Sequence, residues 1–300
     1  MKKIQEISGT HVSRLKSEKD RLISDYITIA MSEADSVDIM VGYFRLGFFQ
    51  HFALLFVLLY RSRKKMRIIC GHQLGPDEER LIFDSGTSME RDGAVEEILN
   101  RIWVGAVENS LIVEDSKDVY TLVRHLLRTG ILSIKPVLVL NGETGVYGLF
   151  HHKEYFFHTT QGISYATGSF NMTARAVDYN SENLKVEFVC SSDGPSFEDV
   201  SRRFDVMNDI WNDVYPGYVK ASKTDIVLDS FDKEDASIEG AELKGTVKRL
   251  VNGFRDEISE EIAEYLESVL FDSEEKVVTI RLRPHQKEAL KMWQEAGFSG

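Results

Sequence analysis

The first quarter of the chain alternates between helix-like and strand-like patterns of apolar residues. Residues 18–34 place apolar side chains at the spacing of one helical face. A β-branched run at 36–44, an apolar run at 46–60 and a second β-branched run at 65–71 follow. Strand, helix and strand over this length predict a βαβ unit, in which the two strands are parallel neighbours in one sheet.

The middle of the chain continues this mixture and then becomes richer in strands. Helical patterns occur from Pro76 onward, at 94–104 and at 118–129, where Gly130 is placed to end the helix. The strand-like runs that follow are 131–140, 147–157, 162–169 and 183–190, and a last amphipathic helix covers 196–214. We expect an α/β fold with a mixed, largely parallel sheet flanked by helices.

Composition supports a globular protein, because 43% of the residues are hydrophobic and 28% are charged. The net charge is −12, but residues 221–280 alone contain 7 Lys and Arg against 16 Asp and Glu, a net of −9. We therefore predict an acidic linker or helical segment at 215–275. A nucleic-acid partner stays compatible with this charge, because binding needs a local basic face and not a basic total.

Cysteine usage and hydropathy favour a cytoplasmic protein. Cys70 and Cys190 lie in apolar, strand-like runs, which favours reduced and buried thiols. The N-terminal residues show no apolar core of the kind a secretory signal needs. The apolar run at 46–60 is too short to cross a bilayer and contains Gln50 and His51, so we interpret it as a buried helix and expect no membrane association.

Candidate chemistry is concentrated between residues 151 and 182, where polar side chains recur two positions apart. The three pairs are His151 with Lys153, Ser169 with Asn171, and Asn180 with Glu182. Alternate side chains of a strand share a face, so each pair can direct two groups to one point. An imidazole nucleophile, ammonium and amide donors for phosphate oxygens, and an orienting carboxylate suit attack on a phosphodiester without a metal or other cofactor.

These motifs resemble the HKD motif of the phospholipase D superfamily, in the arrangement found in its bacterial nucleases and restriction endonucleases. The pattern is His-x-Lys at 151–153, Gly-Ser-x-Asn at 168–171 and a glutamate at 182, with 20 positions from the histidine to the asparagine and 11 from there to the glutamate. The resemblance extends over about residues 1–214, which predicts one phospholipase D-like nuclease domain.

The resemblance implies a role for each residue. His151 would attack phosphorus and form a phosphohistidine, Lys153 and Asn171 would hold the phosphate oxygens, and Glu182 would orient His151, with Ser169 in the same motif. The family uses two such motifs, the second histidine protonating the leaving oxygen. One complete set is present here, which implies a homodimer whose two His151 side chains face each other.

One position departs from the family pattern. The aspartate that the motif carries after the lysine corresponds to His158 here. This leaves an alternative open, a catalytically decayed module that serves only DNA binding or dimerisation. Lone histidines on half-buried strands are more often packed than catalytic, so we interpret His125, His152 and His158 as structural.

A basic run follows the apolar helix at 61–67, with five cations in seven residues. The five are Arg61, Arg63, Lys64, Lys65 and Arg67. A helix dipole favours cations at its C-terminal end, so a solvated cap is one interpretation. Contact with the phosphate backbone of DNA is the other, and such contact would be sensitive to salt.

The C-terminal residues 276–300 resemble the segment that precedes the nucleotide-binding loop of superfamily 2 helicases. Its Leu-Arg-Pro-His-Gln sequence would place Gln286 against adenine in a complete helicase. No phosphate-binding loop is present, so we expect no ATP binding by this chain alone. Together the motifs predict a metal-independent DNA endonuclease coupled to a helicase in a restriction or defence system, with lipid phosphodiesterase activity less favoured.

Overall fold

The computed structural model describes the sheet, its flanking helices and part of the later chain. The described ranges are 3–13, 21–45, 47–71, 93–94, 97–98, 101, 117–140, 147–215, 219–221, 243, 245–247 and 249–250. The predicted helix from Pro76, most of the predicted helix at 94–104, most of the acidic segment and the helicase-like residues with Gln286 lie outside them.

We number in chain order the ten strands and seven α-helices whose full bounds the structure describes. The strands are β1 His11–Ser13, β2 Arg21–Leu22, β3 Ser36–Val41, β4 Lys65–Gly71, β5 Leu132–Leu140, β6 Tyr147–Gly148, β7 Lys153–Thr159, β8 Gly162–Gly168, β9 Asn183–Val189 and β10 Val219–Ala221. The helices are α1 Lys3–Glu6, α2 Ile23–Glu33, α3 Phe48–His51, α4 Ala53–Ser62, α5 Lys117–Arg128, α6 Ala174–Asp178 and α7 Pro195–Trp211.

The described strands form one mixed sheet with the order β10-β5-β4-β3-β7-β8-β9-β1-β2. Strand β6 pairs with the C-terminal end of β5. Strands β3, β4 and β5 are parallel to one another, as the predicted βαβ unit requires. Strands β7, β8 and β9 are successive antiparallel neighbours, and β7 pairs antiparallel with β3. The mixed α/β fold is confirmed, although antiparallel pairs outnumber parallel ones in the described strands, because β7, β8 and β9 follow one another as antiparallel neighbours.

Local sequence explains how the elements end. The apolar run at 46–60 forms α3 and α4, and seven residues of α4 are buried, so it is a buried helix as predicted. Helix α5 ends where Gly130 adopts a φ of 63°, and Ile131 N–H then donates to the Leu126 carbonyl at 3.0 Å. None of the helices in the described ranges combines the length and hydrophobicity that a membrane crossing needs.

The sheet has a different helical cover on each face. Tyr26 of α2 packs edge-on against Phe157 of β7 with ring centroids 5.7 Å apart, which places α2 on one face. Helix α7 covers the other face, where Phe204 lies 5.6 Å from the ring of Phe156. The core between the sheet and α7 includes Met40, Ile69, Val137, Phe150 and Tyr165, with Val200, Met207 and Ile210 from α7 itself. Odd-numbered residues of β7 therefore face α2, and even-numbered residues face α7.

Two cations from neighbouring strands fix the C-terminal end of α7. Lys135, only 4% exposed, donates to the Trp211 carbonyl at 2.5 Å and pairs with Asp213 at 2.8 Å. The Arg67 guanidinium lies 5.3 Å from the centre of the Trp211 ring and donates to Asn208 Oδ1 at 2.9 Å. Because Arg67 and Lys135 lie two positions apart along adjacent parallel strands, both point to the α7 face.

A short part of the predicted acidic segment is described, and it contacts the sheet domain. Leu243, Val247 and Leu250 are buried and share the spacing of one helical face. Arg249 makes a bidentate pair with Asp118 of α5, both N···O distances being 2.6 Å. These residues pack against the same domain as the sheet, and the predicted boundaries at 214 and 275 stay predictions.

Candidate active site

The candidate site lies where β3 and β4 end and the segment leading into β7 passes between them. Close main-chain contact shapes this position. A Cβ atom at Gly42 would lie 2.8 Å from the Phe150 carbonyl oxygen, and one at Gly71 would lie 2.8 Å from the same atom. Glycine at both positions therefore lets residues 150–152 approach the ends of the two parallel strands.

His151 and Lys153 meet at this point, but His151 lies before β7 rather than in it. The Lys153 Nζ atom donates to the His151 carbonyl oxygen at 3.3 Å. A Cβ at Gly42 would lie 3.2 Å from His151 Cα and 3.3 Å from Lys153 Nζ, so the three residues are in direct contact. The His151 side chain is exposed, whereas Lys153 is only 7% exposed. The main chain of a residue with an accessible imidazole thus accepts a hydrogen bond from a buried ammonium group.

Glu182 supplies the countercharge for Lys153. It precedes β9, is 7% exposed, and accepts a hydrogen bond from Asn180 Nδ2 at 3.0 Å. Burial lowers the pKa of Lys153 below its usual value, and the negative charge of Glu182 opposes that shift. Burial followed by the charge of Glu182 also raises the pKa of Tyr155, on the same face of β7. Lys153 and Glu182 therefore form one electrostatic unit.

The Gly-Ser-x-Asn turn joins β8 and β9 to this site. Asn171 Oδ1 accepts from the Tyr43 N–H at 3.1 Å, next to Gly42, which leaves the Nδ2 group of the same amide as a donor. Ser169 Oγ accepts from the Asn183 N–H at 3.1 Å. A Cβ at Gly168 would overlap the Asn183 carbonyl oxygen, so only glycine fits there. The turn carries Asn171 to the end of β3.

The structure brings His151, Lys153, Asn171 and Glu182 to one edge of the sheet, with two differences from the pattern expected of strands. His151 and Asn171 lie outside the regular strands, so simple alternation does not orient them. In the described residues the Glu182 carboxylate accepts from Asn180 and acts on Lys153 through its charge, and no described contact joins it to the His151 ring. Ser169 contacts the main chain of β9, which is the contact of a turn residue.

The basic run lies at the opposite end of the strands from His151. Lys65 begins β4 and Gly71 ends it, next to the site. Lys64 donates to the Ser32 carbonyl at 2.9 Å, and Arg67 pairs with Asp38 at 2.5 Å. The side chains of Arg61, Arg63 and Lys65 are exposed. Contact of the five cations with DNA stays a prediction.

His158, at the position where the family pattern has an aspartate, lies in a polar cluster with Asp38 under α7. Its Nε2 atom lies 2.9 Å from Asp38 Oδ2, and its ring centroid lies 4.5 Å from that of Phe204. Burial raises the pKa of Asp38, but the contacts with His158 and Arg67 outweigh it and the net shift is downward. Asp38 thus holds two partners together with its ionised carboxylate.

Sequence reasoning missed the partners on the α7 face of β7. His152 Nδ1 lies 3.0 Å from Glu154 Oε1, and Tyr165 donates to Glu154 Oε2 at 3.2 Å. The interpretation of His152 as a packed residue misses this carboxylate partner. The signal in the sequence was the i, i+2 spacing of His152 and Glu154, which is the same spacing that singled out His151 and Lys153.

Comparison with known proteins gives distant structural likenesses. No protein-family model matches the sequence, and no curated protein matches it. NucT from Helicobacter pylori is 12% identical with a TM-score of 0.36, over 62% of this chain and 87% of that chain. A phosphatidylserine synthase from Haemophilus influenzae is 15% identical with a TM-score of 0.38, over 87% of this chain and 47% of that chain. Nuc from Salmonella typhimurium, a phospholipase D family member, is 14% identical with a TM-score of 0.35, over 68% of this chain and 93% of that chain.

Proposed function

We propose that this protein is a phosphodiesterase that cleaves DNA through a phosphohistidine on His151, without a metal ion. The observation that carries the proposal is the hydrogen bond from the buried Lys153 ammonium to the main-chain carbonyl of His151, whose own side chain is exposed, together with the charge of the buried Glu182 carboxylate. A buried ammonium group needs acceptors, because an unsatisfied charge is costly to bury. Lys153 has one at 3.3 Å, the His151 carbonyl, and a bound phosphate would supply further acceptors.

The proposed reaction has two steps. The unprotonated imidazole nitrogen of His151 attacks phosphorus, an N–P bond forms, and the P–O bond to the leaving nucleotide breaks while that oxygen takes a proton from a second, protonated imidazole. Water then attacks phosphorus, the N–P bond breaks, and the second imidazole takes the proton from water. Lys153 and the Asn171 amide donate to the non-bridging oxygens in both steps.

Glu182 has a different role in this proposal from the one the motif implies. Its described partners are Lys153 and Asn180, so we assign it to keeping Lys153 protonated. A charged lysine is needed because a neutral amine would give no net attraction for the phosphorane oxygens. The orientation of His151 then depends on other groups.

The second imidazole is proposed to come from another copy of the chain. One complete motif set is present in the sequence, so a twofold dimer with its axis beside His151 would supply the missing histidine. Leu149, two residues before His151, is apolar yet 44% exposed in the single chain. Such exposure is expected of an apolar residue that a partner chain would cover. Sedimentation of the full chain tests this directly, and a strictly monomeric yet active protein contradicts it.

We also propose that the substrate is DNA and that a helicase domain acts with this module in a restriction or defence system. The support is the helicase-like sequence at 276–300 and the exposed cations of the basic run. Binding through these cations should weaken as salt concentration rises.

The decisive experiment measures nicking of supercoiled DNA by the full chain in excess EDTA. We expect the wild type to nick and His151→Ala to lose all activity, while His11→Ala, a control at an exposed histidine of β1, stays active. Acid-quenched protein with radiolabelled substrate should carry phosphate on His151. Nicking by His151→Ala at the wild-type rate would refute the proposal.

The same material tests the second candidate, a non-catalytic DNA-binding module. The observation in its favour is the replacement of the motif aspartate by His158. It predicts salt-dependent DNA binding that is the same for wild type and His151→Ala, with no nicking and no labelled protein. A covalent adduct at His151 excludes it.

A further inference from the structure

The segment that carries His151 is fixed by side chains on both sides of it, and the anchor on the α7 face has no part in the reaction just proposed. Residues 150–152 lie outside β7, so the ladder of main-chain hydrogen bonds in the sheet does not orient them. Other contacts must therefore hold the imidazole of His151 in place.

The anchor consists of the two residues that flank His151. Phe150 is 3% exposed and belongs to the core beneath α7. The ring of His152 packs on it with centroids 4.7 Å apart, and His152 Nδ1 lies 3.0 Å from Glu154 Oε1. Both flanking side chains are thus held on the α7 face of the sheet.

Glu154 is itself held rigidly. It is 8% exposed, accepts from Tyr165 OH at 3.2 Å, and lies 4.0 Å from the Arg203 guanidinium of α7. Glu154 Oε1 accepts a hydrogen bond from His152 when the imidazole carries a proton on Nδ1. Through Glu154, the His152 ring is linked to Tyr165 of β8 and to Arg203 of α7.

We propose that the His152–Glu154 pair is a positioning device, which holds His151 toward the face that carries Lys153 and Glu182. Neighbouring side chains in an extended segment point to opposite sides, so anchoring 150 and 152 on the α7 face directs 151 to the other face. On that face the Lys153 ammonium binds the His151 carbonyl. His152 is thus a positioning residue for the nucleophile. This inference rests on the proposed function only for its effect on catalysis, because the position of His151 can be measured without it.

The test compares two substitutions of His152 in the full chain. His152→Asn keeps an N–H donor close to the position of Nδ1 and so preserves the bond to Glu154. His152→Leu keeps apolar packing on Phe150 but removes the bond. Glu187→Gln is the matched control, because it breaks the ion pair with Lys185 on β9 without touching residues 150–152.

Two readouts separate positioning from folding and from the proposed function. Turnover of bis(p-nitrophenyl) phosphate in EDTA should fall about 10- to 100-fold in kcat for His152→Leu, with KM nearly unchanged, because a small displacement of a reacting group costs this much. His152→Asn and Glu187→Gln should stay within about threefold of the wild type. In NMR spectra the His151 ring signal should be single and sharp in the wild type, His152→Asn and Glu187→Gln. In His152→Leu the same signal should be broadened or split.

Each outcome decides the matter. An unchanged His151 signal in His152→Leu overturns the inference whatever the activity, and so does an equal disturbance in His152→Asn. Should the wild type show no turnover that depends on His151, the proposed function fails, while the NMR comparison still confirms or rejects the anchor.

Discussion

Restoring the motif aspartate by His158→Asp should destabilise the protein rather than activate it. In the family pattern this position holds a carboxylate, but here Asp38 of the neighbouring strand already fills the space, with Oδ2 2.9 Å from His158 Nε2. The substitution would replace an attractive contact by two carboxylates at close range in a site where Asp38 is 5% exposed. Arg67 would be the nearest cation to both.

The magnitude follows from that geometry. Two like charges roughly 4 Å apart repel by about 4 kcal/mol at an effective dielectric constant of 20. Arg67 offsets part of this, because its Nε is 2.5 Å from Asp38 and attracts both carboxylates. We expect a loss of ~2–4 kcal/mol in the free energy of unfolding near neutral pH. His158→Asn removes the ring and the contact without adding charge, and should cost only ~1–2 kcal/mol.

The assay is urea unfolding of wild type and both variants at about pH 7.5 and about pH 5. The crowded carboxylate pair binds a proton more readily in the folded state than in the unfolded state. The extra destabilisation of His158→Asp is therefore present at the higher pH and shrinks as the pH falls. A His158→Asp protein as stable as the wild type, or equal to His158→Asn at both pH values, would refute the reasoning. Nicking activity above that of the wild type would refute it too.

Three further results are expected. Gly42→Ala should lower the free energy of unfolding by ~1–3 kcal/mol and reduce turnover, because the added Cβ would lie 2.8 Å from the Phe150 carbonyl oxygen. The melting temperature and the nicking rate of the variant check this. Glu182→Gln removes the charge that opposes the downward pKa shift of Lys153, so the alkaline limb of the pH–rate profile should move to lower pH; an unmoved or raised limb contradicts the pairing. Lys135→Met should cost ~1–2 kcal/mol in urea unfolding by removing the bond to the Trp211 carbonyl, and no loss would show that this bond is not needed to hold α7.

Several features of the fold and of the site could be predicted from sequence because they depend on neighbours along the chain. The strand–helix–strand pattern of 36–71 gives the parallel pair β3 and β4, and Gly130 ends α5 as its position suggested. The spacing of polar residues between 151 and 182 singled out residues that lie near the ends of β3 and β4, and their catalytic role stays a prediction. Alternation and turn chemistry operate within a few residues, so a linear pattern contains them.

The tertiary structure alone decided which charges meet. Asp38 and His158 are far apart in sequence, and the pairing of β3 with β7 places them in contact. Likewise Glu182 lies with Lys153 and Asn180 rather than against the His151 ring. The energy of a charge depends on its burial and on partners from distant segments, and no local pattern in the sequence specifies either.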